Sequence, residues 1–140
     1  MKKLISISIV VVSSFTTFSQ KIIFQLQEKR THYTDLIGND LDFVDITEPT
    51  NSTLTFNLKD STMCLQKNGE TSITKLSKIA KKGSTYFFES SSNYAIDPSK
   101  IVITYYVIDC KKHFGSETYA SFCMNNMNHV TDFKGKAFIR

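Results

Sequence analysis

The run Ile101–Cys110 (IVITYYVIDC) constrains the fold more than any other stretch of the chain. It is dense in β-branched and aromatic side chains, which are stiff at χ1 and fit a pleated surface better than a helical one. On a strand, Ile101, Ile103, Tyr105 and Val107 share one face, and Val102, Thr104, Tyr106 and Ile108 share the other. Both faces are apolar, so a central strand covered on both sides is expected, with Ile103 and Val107 buried. A buried helix is the rival reading, and the composition argues against it.

Other segments repeat the strand signature. Phe24 and Leu26 alternate with Gln25 and Gln27, and Leu54, Phe56 and Leu58 alternate with Thr55 and Asn57. Ser84–Glu89, Glu117–Met124 and Phe133–Arg140 read as further strands. Leu41–Ile46 reads as a short strand followed by a loop at Thr47–Ser52 around Pro49, and Ser90–Asn93 as a polar loop. Asn68-Gly69 calls for a two-residue hairpin turn with positive φ at both central positions. Thr71–Gly83 is ambiguous. Ile73, Leu76, Ile79 and Ala80 have helical spacing, but the preceding turn favours extended chain, so a strand giving way to one helical turn is expected. No helical crossovers are evident. The expected fold is all-β, mainly an antiparallel meander forming a small barrel or a two-layer sandwich, with at most one short helix.

The N-terminus reads differently. Lys2 and Lys3 precede the apolar stretch Leu4–Val12, and Thr17-Phe18-Ser19 places small residues where a signal peptidase cuts. Met1–Ser19 is therefore expected to be a cleaved signal peptide, leaving Gln20–Arg140 as a single β-rich domain. The apolar stretch is shorter than the roughly 20 residues a spanning helix needs. Phe18-Ser19-Gln20 resembles the cleavage region of many exported proteins of the Bacteroidota. That resemblance covers the signal only and implies a periplasmic or extracellular home in a Gram-negative bacterium. Loss of Lys2 and Lys3 lowers the net charge from +4 to +2. With that balance and that compartment, nucleic acid is an unexpected partner, and no membrane span is expected in the mature chain.

Export permits disulfides among Cys64, Cys110 and Cys123. If Ile101–Cys110 and Glu117–Met124 pair as a hairpin, Cys110 and Cys123 lie well over ~10 Å apart, beyond disulfide reach. Any intramolecular bond would then use Cys64, and a fully reduced chain is the other outcome. Cys110, His113, Cys123 and His129 have the residue types of a zinc site or, with Asp109, of a nucleophilic centre. Oxidation would remove the thiolate ligands, and strand neighbours point to opposite faces, so structural roles are favoured. Asp35, Asp40, Asp42, Asp45 and Glu48 form an acidic stretch with calcium-type ligands but without EF-hand order. A solvated acidic loop is the expectation there. Phe56, Tyr86, Phe87, Phe88, Tyr105, Tyr106, Tyr119 and Phe122 either fill an aromatic core or line an apolar pocket, and a filled core is favoured.

No Gly-x-Ser-x-Gly, His-Glu-x-x-His, P-loop or dinucleotide fingerprint occurs. The expectation is an exported, non-catalytic binding or interaction module, not an enzyme, with an unknown protein or a small apolar ligand as partner and no cofactor. A lipocalin-like carrier of a small apolar ligand is the first alternative. A metal or enzymatic protein using Cys110, His113, Cys123 and His129 is the second.

Overall fold

The computed structural model describes residues 20–94, 97–121 and 127–140, without the side chains of 42–44 and 120–121. Residues 1–19, expected from the sequence to be a signal peptide, and Phe122 and Cys123 lie outside these residues. The strands are β1 (Lys21–Thr34), β2 (Asp40–Asn57), β3 (Thr62–Lys67), β4 (Glu70–Lys75), β5 (Lys78–Lys82), β6 (Thr85–Asn93), β7 (Ile101–Asp109), β8 (Phe114–Ser121) and β9 (Met127–Ile139). They form one antiparallel sheet in the order β4-β3-β2-β1-β9-β8-β7-β6-β5, and no helix occurs among the described residues.

This order is a meander bent into a circle. Every strand pairs with its sequence neighbours except β4 and β5, and β9 returns to pair with β1. The seam therefore falls between β4 and β5, joined by Leu76-Ser77. Leu76 N–H donates to the Ser61 carbonyl on one side of the seam, and Ser77 N–H donates to the Glu89 carbonyl on the other. The sheet curls until β4 touches β6. Of the two expected forms, this is the barrel, left half open, rather than a sandwich of two sheets.

Three local expectations need correction. Thr71–Gly83 contains no helical turn, because φ of 52° at Asn68 and 77° at Gly69 makes the tight hairpin that sends β4 straight back along β3. Of the residues with helical spacing, Leu76 is buried while Ile73 is exposed. Thr47–Ser52 and Ser90–Asn93 are strand rather than loop, since β2 and β6 have long partners to follow. Pro49 is tolerated because it lies opposite Glu28 beside the register shift at Gln27 in β1.

The third correction concerns β7, which is flanked by β6 and β8 near one side of the sheet and covered on one face only. Tyr106 and Ile108 are buried, whereas Ile103 is 40% exposed and Val107 is half-buried. One curled sheet has one inside, so the odd-numbered apolar residues of β7 face outward. Inside, Ile22, Phe24, Leu26, Leu54, Phe56, Met63, Leu76, Tyr86, Phe88, Tyr106, Ile108, Phe133 and Ala137 make a single core. Phe56 stacks on Phe88 at 4.2 Å, and Phe24 meets Phe133 edge-on at 5.0 Å. Two glycines keep this core tight. A Cβ on Gly115 would strike the Phe133 ring and Ile108, and one on Gly135 would strike the Gln25 carbonyl.

Candidate functional site

The inward-facing residues change character along β2, β6, β8 and β9. In β2 the inward series runs Phe56, Leu54, Ser52, Thr50, and in β6 it runs Tyr86, Phe88, Ser90. In β9 it runs Ala137, Phe133, Thr131, His129, and in β8 it runs Gly115, Glu117, Tyr119. Antiparallel neighbours read this series in opposite sequence directions, so in space all the apolar ends coincide. One end of the barrel is plugged by the core, and the other is a polar cup.

A cavity of about 190 Å³ lies where the two halves meet. Leu26, Leu54, Leu65 and Phe133 form its floor, and Lys29, Thr50, Ser52, Lys67, Glu117 and Thr131 its polar walls. Glu117 is opposite Tyr106 on β7 and Thr131 on β9. Burial raises the Glu117 carboxyl above its ordinary 4.5, while its hydrogen bond with Tyr106 pulls the other way. Burial and the nearby Glu117 charge push the Tyr106 hydroxyl up, so it stays protonated and donates to the carboxylate. Ser90 in turn donates to the Tyr106 oxygen. A Ser90–Tyr106–Glu117 chain thus crosses three strands and fixes the carboxylate at the cavity wall.

The next inward rung is aromatic. Tyr119 stacks on His129 with centroids 4.7 Å apart, and Tyr33 meets His129 edge-on at 5.2 Å. Burial lowers the His129 pKa, so the ring is neutral at pH 7, and its buried Nδ1 has no hydrogen-bond partner among the described residues. Lys29 pairs with Glu48 at 3.1 Å.

The outer face carries a second polar cluster. The His32 ring is buried, with Nδ1 2.8 Å from Asp40 Oδ1 and Nε2 2.8 Å from Asp132 Oδ2. Arg30 donates twice to Asp45, from Nε at 2.9 Å and Nη2 at 2.7 Å, and Nη2 lies 3.4 Å from Asp40. The Arg30 hydrogen bond holds the Asp45 carboxyl below its ordinary 3.8. These contacts tie β1 to β2 and β9 and set Arg30 against Asp40 and Asp45 of the acidic stretch. Asp35 accepts from the Ile37 and Asn39 backbone N–H groups inside its own turn. The side chain of Asp42 is not among those described.

The described residues of the set weighed for zinc or thiol chemistry do not converge. Cys110 and His113 lie at the β7–β8 turn, while His129 pairs with Tyr119, five residues along β8 from Phe114 at that turn. Five residues of strand separate them by roughly 16 Å. His113 Nδ1 accepts from the Ala137 N–H at 3.0 Å, and Asp109 accepts from Lys111 and Lys112 N–H rather than facing the imidazole. Burial raises the Cys110 thiol, which disfavours a nucleophilic thiolate. Cys64 and Cys110 are both free. Among the described residues there is no cluster suited to a metal ion and no helix long and apolar enough to cross a membrane. The aromatic set divides. Phe56, Tyr86, Phe88 and Tyr106 fill the core, Phe87 and Tyr105 face outward, and Tyr119 joins the cup.

Sequence reading overlooked Glu117, Thr131 and Lys29. Their signal was available: at the next inward position beyond the last large apolar residue of β2, β6 and β9, the side chains turn polar. No protein-family model matches the chain, and no curated protein or solved structure is similar enough to it to support a relationship.

Proposed function

We propose that the chain is an exported, non-catalytic binding protein, one β-domain after a cleaved signal, whose polar cup holds a small polar ligand. The observation that carries this reading is the polar half of the interior, with Glu117 half-buried and oriented by Tyr106 beside a cavity of about 190 Å³. A fold seeking stability alone would fill these positions with apolar side chains, because each buried polar group costs free energy unless it is hydrogen-bonded. A polar occupant fits this lining better than the apolar ligand of a lipocalin-like carrier. An apolar molecule would strip solvent from Glu117, Thr131 and Ser52 and offer no hydrogen bond in return.

The test is native mass spectrometry of protein purified from its own host, alongside Thr131→Trp, which places a bulky ring in the cavity. A small molecule retained by the wild type and lost from a folded Thr131→Trp protein is the expected result. Wild type that retains nothing, and whose melting temperature no member of a small-molecule library raises, would refute the reading. A protein-binding role has its own supporting feature, the outward strip of Phe87, Tyr105, Ile103 and Ile101. It predicts a co-purifying polypeptide that Thr131→Trp does not displace.

A further inference from the structure

We infer that the occupant of the cup is a neutral saccharide of monosaccharide size; this inference rests on the binding reading above. Its cavity of about 190 Å³ lies below the ~300–1,000 Å³ typical of drug-sized ligands, which limits the occupant to about one ring. The wall chemistry then narrows the class. An anion would be set against Glu117, and a cation against Lys29 and Lys67 in the same cavity. What remains is a neutral molecule rich in hydroxyls, each able to donate to a carboxylate and accept from a hydroxyl or ammonium.

The cup offers what such a molecule requires. The Glu117 carboxylate has about four lone-pair sites, of which Tyr106 uses one, so it can accept from two adjacent hydroxyls of a sugar. Thr131, the cross-strand partner of Glu117, and Ser52 and Thr50 on the opposite wall add hydroxyls that both donate and accept. Tyr119 is two residues beyond Glu117 on the same face of β8, about 6.6 Å along the strand, close to the span of a pyranose. With His129 stacked behind it and Tyr33 against the imidazole edge, Tyr119 belongs to a supported aromatic surface for the C–H face of a sugar ring.

The experiment is isothermal titration of the mature protein with glucose, galactose, mannose and N-acetylglucosamine, with glucuronate, glucosamine and palmitate as charged and apolar comparisons. At least one neutral sugar should bind saturably and more tightly than its charged counterparts. Glu117→Gln should weaken it about tenfold or more, the loss expected for a hydrogen bond to a charged group, and Tyr119→Leu, which removes the aromatic face, should weaken it too. Thr131→Val, nearly isosteric, supplies a third variant should either of these fail to fold. If no neutral sugar binds but another compound does and Thr131→Trp abolishes it, the saccharide assignment falls and the binding reading stands. If nothing binds, both fall. Sugar binding unchanged in every folded variant would place the site elsewhere and overturn the inference.

Discussion

Ile103 and Ile108 lie on the same strand and differ by one face, which makes them a controlled pair for the inside of the barrel. Ile108 is fully buried among Tyr86, Gly115 and Phe133, whereas Ile103 is 40% exposed. Truncation to Ala removes three carbons at either site. At about 0.8 kcal/mol per buried carbon, Ile108→Ala forfeits roughly 2.4 kcal/mol of transfer free energy, and the cavity left among rigid aromatic neighbours adds about 1 kcal/mol. At Ile103 only the covered part of the side chain counts and solvent fills the space, so the cost is about 1.5 kcal/mol at most. The loss of strand propensity is common to both and cancels in the comparison.

The expected gap is therefore about 2 kcal/mol, or roughly 8 °C in melting temperature for a domain of this size. Urea titrations followed by circular dichroism should show two midpoints with similar slopes, Ile108→Ala the lower. Equal midpoints would mean that β7 is covered on both faces. A lower midpoint for Ile103→Ala would mean that the sheet curls the other way, and the cup would lose its walls.

Two further outcomes concern charge. Arg30 lowers the Asp45 carboxyl below 3.8, so this pair contributes stability that is complete above the unfolded carboxylate pKa and is lost as pH falls through the lowered value; melting curves from pH 6 to pH 2 should fall less steeply below about pH 4 in Arg30→Gln than in the wild type. Glu117 has the opposite sign, because its raised pKa makes the folded state lose stability as pH rises from 4.5 through the folded value; Glu117→Gln should remove that loss and melt higher than the wild type at pH 7, and a lower melting temperature there would show that the ionised carboxylate is stabilised, not strained.

Much of the strand pattern was legible because alternation and the Asn68-Gly69 turn are local signals. The β3–β4 hairpin, β6 through Glu89 and the even face of β7 follow from them directly. What alternation cannot supply is which of two apolar faces turns inward, and β7 is the instance: Ile101, Ile103 and Tyr105 look like core until the sheet is seen to have one inside. Pro49 and the serines of β6 read as loop because propensity was asked to decide where long partner strands decide. The acidic stretch read as a solvated loop because the Arg30 and His32 that reach it come from another strand, fifteen and eight residues away in their contacts with Asp45 and Asp40. Cross-strand neutralisation is set by register, and register across the bulge at Gln27 is not written locally.

The polar cup belongs to a different class of signal, one visible only when the strands are laid side by side. Taken alone, Ser52, Ser90, Thr131 and Glu117 are ordinary half-polar strand residues. Laid in register, Glu117 and Thr131 share a rung with Tyr106 and its partner Phe88, Ser90 shares the next rung with Thr104, Tyr119 and His129, and Ser52 follows Leu54 in the same direction, so the polar positions gather toward one end. A meander that reverses direction at every turn must reverse its inward polarity gradient at every strand to achieve this, and it does so in β2, β6, β8 and β9. Chance placement of hydroxyls would scatter them through both halves and break the core. The plugged half supplies the cohesion: stacked Phe56 and Phe88, Phe24 against Phe133, and Leu76 at the seam. That cohesion lets the other half carry Glu117 in a partly desolvated wall, where burial raises its carboxyl, an arrangement the proposed binding role calls for and a fold built for stability alone does not.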